Sequence, residues 1–136
     1  MSESLKQPIR IMCVDDHPIF RQGLAAVIGL DPELELVAEA DTGEHAISVY
    51  GHARPDVTLM DLRLPGLSGI DTIRAIRRDN VDARVVVLTT ETGAVLINRA
   101  LAAGAKGYSL NGMAMVDFSQ VISAAPARTC YITGPA

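Results

Sequence analysis

The sequence has no tryptophan, two phenylalanines, three tyrosines and two cysteines in 136 residues. Cys13 and Cys130 match neither a zinc-ligand spacing nor a disulfide framework. The expected setting is therefore a reducing, cytoplasmic one in which an apolar core holds the fold. Positive charge is also short. Twelve basic against sixteen acidic side chains leave a net charge of −4, whereas nucleic-acid binding usually calls for a basic patch or stripe. No apolar run reaches membrane-spanning length, and Met1–Arg10 has no signal-peptide core, so no membrane partner is expected. Repeats and low-complexity tracts are absent too. What is present is 49% hydrophobic and 21% charged residues, which suits a single globular domain of this length.

Strand-length apolar runs alternate with helical patterns. Ile9–Val14 ends at Asp15-Asp16-His17-Pro18, and Pro18 suits the first turn of a helix whose buried face is Phe20, Leu24, Val27 and Ile28. Leu34–Val37 reads as a second strand. Asp41 with Glu44 three residues on marks a second helix start, with Ala46, Ile47, Tyr50 and Ala53 apolar. Val57–Met60 is a third strand, stopping at Asp61. Ser68 with Asp71 caps a helix lined by Ile70, Ile73 and Ile76. Arg84–Leu88, almost wholly apolar, reads as a strand covered on both faces. A helix over about 94–103 closes at Gly104, Gly107–Leu110 is a short fifth strand, and Met113–Ala125 is a last helix stopped by Pro126. Five β-then-α units predict a parallel sheet with helices on both faces. Residues 1–8 form an N-terminal extension, 9–125 the domain, and 126–136 a tail or linker stub.

Ligands of such sheets bind beyond the carboxyl ends of the strands. Those ends carry Asp15 and Asp16, then Asp61, then Thr89 and Thr90, and finally Asn111. At roughly 4 Å and an effective dielectric of about 20, each pair of like charges costs on the order of 4 kcal/mol. A hard divalent cation removes that repulsion, and carboxylate oxygens suit Mg2+. A metal so held can bind a phosphoryl group while a carboxylate attacks it, with Thr89 donating a hydrogen bond to a phosphoryl oxygen.

These residues carry a resemblance. Val14-Asp15-Asp16-His17-Pro18, the run Leu59-Met60-Asp61-Leu62-Arg63-Leu64-Pro65-Gly66, Val87-Leu88-Thr89-Thr90, and Ala102-Ala103-Gly104-Ala105-Lys106-Gly107-Tyr108 stand in order at the strand ends. Together they resemble the receiver domain of a two-component response regulator, most of all the NarL/FixJ group, over about residues 9–132. The resemblance implies a CheY-like, flavodoxin-like (βα)5 fold with a five-stranded parallel sheet in the order 2-1-3-4-5. It implies that Asp61 accepts a phosphoryl group from a sensor histidine kinase, in a self-modifying switch that turns over no external substrate. Asp15, Asp16, Asp61 and the backbone carbonyl of Arg63 are implied as the Mg2+ ligands. Thr89 is implied to bind the phosphoryl group and Tyr108 to be the aromatic switch position. Transcription control in this group runs through a C-terminal helix-turn-helix domain, so DNA is expected as a partner only through such a domain, which these residues lack.

One position departs from the family. Where it has lysine three residues after the switch aromatic, this chain has Asn111, and Lys106 lies five residues too early to restore the charge. Asparagine is shorter and uncharged, which predicts a less stabilised phosphorylated state and poorer coupling to Thr89 and Tyr108. The competing reading is a phosphorylation-independent receiver acting as a protein-interaction or dimerisation module. Asn111-Gly112 is also a turn signal in its own right. A phosphatase with an aspartate nucleophile fits poorly, since such enzymes resemble Asp-x-Asp at the first strand.

Arg63 and Glu91, each two residues past a site residue, are expected at the edge of the site, either bridging its mouth or as separate surface charges. His17 reads as a helix-entry residue ahead of a metal or general-base role. His45 and His52 read as surface residues, and Cys13 as a small core residue. The helix with Val95, Leu96, Ile97, Ala100 and Leu101 presents a homodimer or partner surface, or else packs deeply into the core.

Overall fold

The computed structural model describes residues 7–89, 94–105, 107–110 and 131–132; of Thr89 and Tyr108 it describes the backbone placement. The elements run β1 (Ile9–Val14), α1 (Pro18–Leu30), β2 (Leu34–Ala40), α2 (Gly43–Ala53), β3 (Val57–Asp61), α3 (Gly69–Asp79), β4 (Val85–Thr89), α4 (Ala94–Ala103), β5 (Gly107–Leu110) and β6 (Tyr131–Ile132). Every strand pairing is parallel, in the order β2-β1-β3-β4-β5-β6. The chain starts near the middle, goes out to β2, then crosses back over β1 to β3. That reversal leaves a crevice beyond the carboxyl ends of β1 and β3.

The first four strands take the expected order 2-1-3-4. The strand count of five needs correction, because Tyr131–Ile132 pairs with Gly107–Tyr108 inside the stretch read as a tail. The tail reading rested on Pro126, Gly134 and Pro135. An aromatic and a β-branched residue between them favour strand, and they lie along a sheet edge that would otherwise offer unpaired backbone groups. The expected helix Met113–Ala125 lies outside the described residues.

Strand alternation divides the core into two layers. Met12, Val14, Met60, Val85 and Val87 face α2 and α3, meeting Ala46, Tyr50, Ile70, Ile73 and Ile76. Ile11, Cys13, Leu59, Val86 and Leu88 face α1, meeting Leu24 and Ile28. Phe20 and Val27 pack against that second layer as the helical spacing predicts. All five residues of β3 are buried, which fits a central strand covered on both sides.

Two local readings change. β2 continues past Val37 to Ala40 because of a bulge: Ile11 pairs with Leu36, but Met12 pairs with Ala38. Val37 is the extra residue, and it reverses which residues face which layer. Leu34 and Leu36 pack with the α1 layer, Ala38 and Ala40 with the other. Glu39 is thereby turned toward α1, where its Oε1 accepts a 3.0 Å hydrogen bond from Arg21 Nε. The N-cap of α2 is Thr42 and not Asp41, since Thr42 Oγ1 accepts from the His45 amide at 3.0 Å. Asp41 stands one residue further out, its Oδ1 3.7 Å from His45 Nδ1. Ser68 caps α3 as expected, its Oγ accepting from the Asp71 amide at 3.1 Å. Among the described residues no helix is long and apolar enough to cross a membrane.

Candidate functional site

The carboxyl ends of β1 and β3 are adjacent, because Val14 pairs with Met60. The next residues, Asp15 and Asp61, are therefore delivered side by side at the crevice. Asp15 is buried, and its amide donates to the Ala40 carbonyl at 3.0 Å, which extends the β1–β2 ladder into the site. Asp61 is buried at 6% exposure, and its Oδ1 accepts the Arg63 amide at 3.0 Å. Asp16 follows at the edge, with its side chain 35% exposed.

Close packing behind β3 fixes this geometry. Gly69, the first residue of α3, donates its amide to the Leu62 carbonyl at 3.1 Å. A Cβ placed there would lie 2.5 Å from the Asp61 carbonyl oxygen and 2.6 Å from Leu62 Cα. Only glycine lets the start of α3 approach the phosphoacceptor candidate so closely. On the other side Arg21, one turn into α1, donates from Nη1 to the Asp15 carbonyl at 2.5 Å while Nε holds Glu39. The guanidinium thus ties the β1–α1 turn to β2.

Burial pushes the Asp61 carboxyl up to about 6, with Asp15 and Asp16 raising it further and the Arg63 amide and His17 opposing. The site holds more negative charge than its surroundings compensate. One oxygen shows the consequence directly: Asp16 Oδ1 is buried and makes no hydrogen bond, with the His17 ring nitrogen 3.1 Å away as its neighbour. A buried carboxylate oxygen in that condition is costly unless something positive meets it. One atom each from Asp15, Asp16, His17 and Asp61 lies within 4.8 Å of the others, a group that could hold a metal ion. The donor set is rich in hard oxygens and so fits a divalent cation of the Mg2+ type.

His17 has surroundings that the sequence pattern did not specify. It stands at the N-cap of α1, as a helix-entry residue should, yet its ring makes no capping bond. Instead Nδ1 lies 2.9 Å from Asp15 Oδ1, 3.1 Å from Asp16 Oδ1 and 3.6 Å from Asp61 Oδ2. The hydrogen bond to Asp15, followed by the charge of Asp15 and Asp16, moves the imidazole pKa up. The available signal was adjacency to the acid pair; the rotamer that turns the ring inward is not a property of the sequence pattern.

Of the other candidates, Arg63 is exposed beside Asp61. Thr89 and Tyr108 sit on neighbouring strands, Val87 pairing with Tyr108 and Thr89 with Leu110. Thr90, Glu91, Lys106, Asn111 and Cys130 lie outside the described residues, and with Glu91 the Arg63–Glu91 bridge. His45 and His52 are exposed, and Cys13 is a buried free thiol pushed up to about 12 by desolvation, so it is a core residue without thiolate chemistry. On α4, Val95 is exposed and Ala100 buried.

A parallel sheet with an acidic crevice at its switch point defines a class, and comparison with known proteins agrees with it. The chain belongs to the response regulator receiver domain family, whose pattern matches residues 11–121. Among individual relatives it is 43% identical to the nitrate/nitrite response regulator protein NarP of Escherichia coli strain K12 over 103 residues, 76% of this chain and 48% of NarP. It is 33% identical to NarL of the same strain over 124 residues, 91% of this chain and 57% of NarL. The chain thus spans about half the length of the curated relatives it matches. Among solved structures, a two-component response regulator of the LuxR family from Aurantimonas sp. SI85-9A1 superposes with a TM-score of 0.88 at 36% identity, covering 95% of this chain and 91% of that one.

Proposed function

We propose that this chain is the phosphoacceptor module of a transcriptional response regulator, with Asp61 as the acceptor. The observation that carries this reading is the burial of Asp61 at the end of β3, within reach of Asp15 and of Asp16 Oδ1, a buried oxygen that makes no hydrogen bond. In the transfer, an Asp61 carboxylate oxygen forms a bond to phosphorus in line with the breaking P–N bond of a kinase phosphohistidine. The imidazole leaves with a proton from solvent, and water later cleaves the acyl phosphate at phosphorus. Asp15, Asp16, Asp61 and the Arg63 carbonyl would hold Mg2+, which supplies positive charge to offset both the carboxylates and the phosphoryl oxygens. Ionised Asp61 is the nucleophile, and the Arg63 amide keeps its Oδ1 oriented.

Thr89 then hydrogen-bonds the phosphoryl group, and Tyr108 reports the change to a partner surface along β5 and α4. Asn111 in place of lysine leaves the phosphorylated state with one charge fewer to stabilise it. Residues 9–125 hold the five β-then-α units of this reading, with 1–8 ahead of them, and Tyr131–Ile132 within 126–136 lies along the sheet edge beside β5. Acting in the cytoplasm, the chain has as partners of this reading a sensor histidine kinase, a second receiver through α4, and DNA only through a separate helix-turn-helix domain. It is a switch rather than an enzyme with an external substrate.

Beryllofluoride, a mimic of an aspartyl phosphate, tests the reading without the kinase. With Mg2+ it should bind saturably, lose binding in Asp61→Asn, and shift the amide signals of Thr89 and Tyr108. Shifts confined to the Asp61 loop would mean that Asn111 uncouples the switch. Absence of binding would favour a receiver that works through protein contacts without phosphorylation.

A further inference from the structure

We propose that His17 is a nitrogen donor to the cation site and sets its metal preference, raising affinity for nitrogen-seeking divalent ions such as Ni2+ and Co2+ relative to Mg2+. The inference rests on the cation site of the phosphoacceptor reading and adds to it a residue that selects among ions.

The geometry is specific to one ring atom. His17 Nδ1 lies within 3.6 Å of an oxygen from each of Asp15, Asp16 and Asp61. The four donor atoms fall within 4.8 Å of one another, close to the span across an ion with metal–ligand distances of about 2.1 Å. The ring has a simpler use available, since an N-cap residue is placed to satisfy the free amides of the helix, and it does not take it. Pro18 at the first helical position fixes the backbone that follows, so the ring is presented from a rigid turn. Asp15 anchors that turn twice, accepting from the His17 amide at 2.6 Å as well as from Nδ1 at 2.9 Å.

Three hard carboxylates alone would favour Mg2+, Mn2+ and Ca2+. An imidazole among them changes the order, because nitrogen donors favour Ni2+, Co2+ and Zn2+ by more than they favour Mg2+. A neutral His17 ring would coordinate through Nδ1 with its one proton on Nε2, giving up the hydrogen bond to Asp15 and leaving that oxygen for the same ion. The surface residues His45 and His52 are the other histidines that could bind such ions, so the comparison needs a background in which both are glutamine.

The experiment is calorimetric titration of the full chain, free of any tag, with Mg2+ and with Ni2+ at pH 7.5, supported by the visible absorption of bound Co2+. His17→Ala should weaken Ni2+ binding about tenfold or more while leaving Mg2+ within about twofold, and the Co2+ spectrum should change. His17→Asn, which keeps a good N-cap residue, should behave the same way, separating ligand loss from helix destabilisation. If wild type binds both ions and neither variant alters their ratio, the proposal falls and the cation site stands. If wild type binds neither ion, the proposal falls together with the cation site beneath it.

Discussion

At the amino ends of β1 and β3, Asp56 Oδ2 accepts the Arg10 amide at 2.9 Å, and the Arg10 guanidinium donates to the Arg54 carbonyl at 2.9 Å. At the carboxyl ends of the same strands, Asp15, Asp16 and Asp61 crowd together with one imidazole among them. The first rim places an acid beside a base, and each has a backbone partner. The second keeps a buried carboxylate whose proton is held too tightly and a buried oxygen that makes no hydrogen bond. Both rims belong to the same two strands, so strand chemistry does not explain the contrast. One end is finished by the chain itself, and the other carries charge that the proposed cation would offset.

The largest effect should come from forcing the second rim apart. Gly69→Ala puts a methyl against the backbone of Asp61 and Leu62, which cannot rotate away. We expect a loss of roughly 2–3 kcal/mol in urea unfolding and weaker beryllofluoride binding; an unchanged midpoint would show that α3 can slide without moving the acceptor.

Next in size is removal of the strained charge. Asp61 binds its proton more tightly when folded, at about 6 against 3.8. The folded state therefore retains a proton that the unfolded chain has released between those values. The resulting stability is complete below about pH 4 and is lost as pH rises through about 6, leaving the ionised carboxylate a net cost above it. Asp61→Asn should stabilise the metal-free protein by about 1–2 kcal/mol at pH 7.5 and by almost nothing at pH 4. Urea melts in chelator at the two pH values check the sign, and equal gains at both would refute the charge account.

Between the rims, Thr58 Oγ1 is buried in β3 without a partner. Thr58→Val removes an unsatisfied hydroxyl at nearly constant volume and should gain about 1 kcal/mol, read as a raised midpoint with an unchanged denaturant slope. The smallest effect belongs to the finished rim. Asp56→Ala should cost about 0.5–1 kcal/mol and leave Mg2+ binding unaltered, which a calorimetric titration can contradict.

Much of this was legible because strong, short-range signals agreed. Pro18 after an acid pair, Ser68 three residues before Asp71, and the isoleucines at 70, 73 and 76 each specify a local structure that the packing then uses. The placement of Asp15 and Asp61 together followed from strand ends and topology alone. What escaped depended on geometry that pattern does not encode. The β2 reading stopped at Val37 because the bulge breaks the two-residue period there. Thr42 outcompeted Asp41 as a cap because both residue types suit the role and only the backbone chooses. His17 was placed correctly on the chain, but its side-chain rotamer decided its surroundings. Arg21 stood in the motif, yet its work on Asp15 and Glu39 needs the bulge to bring Glu39 round.

The extra residue in β2 has a consequence for anyone who edits this protein. Val37 acts as a parity change in the strand: before it even-numbered positions serve one layer, and after it even-numbered positions serve the other. Deleting that single residue would keep both sets of contacts, because Leu36 and Ala38 would become neighbours facing opposite layers, as regular alternation requires. Pairing Val37 into the ladder without the bulge would instead exchange inside for outside over the last three positions, sending the carboxylate of Glu39 toward the layer that Ala38 and Ala40 now fill. Transplanting loops or joining this strand to another receiver is therefore a problem of counting modulo two before it is one of matching sequence.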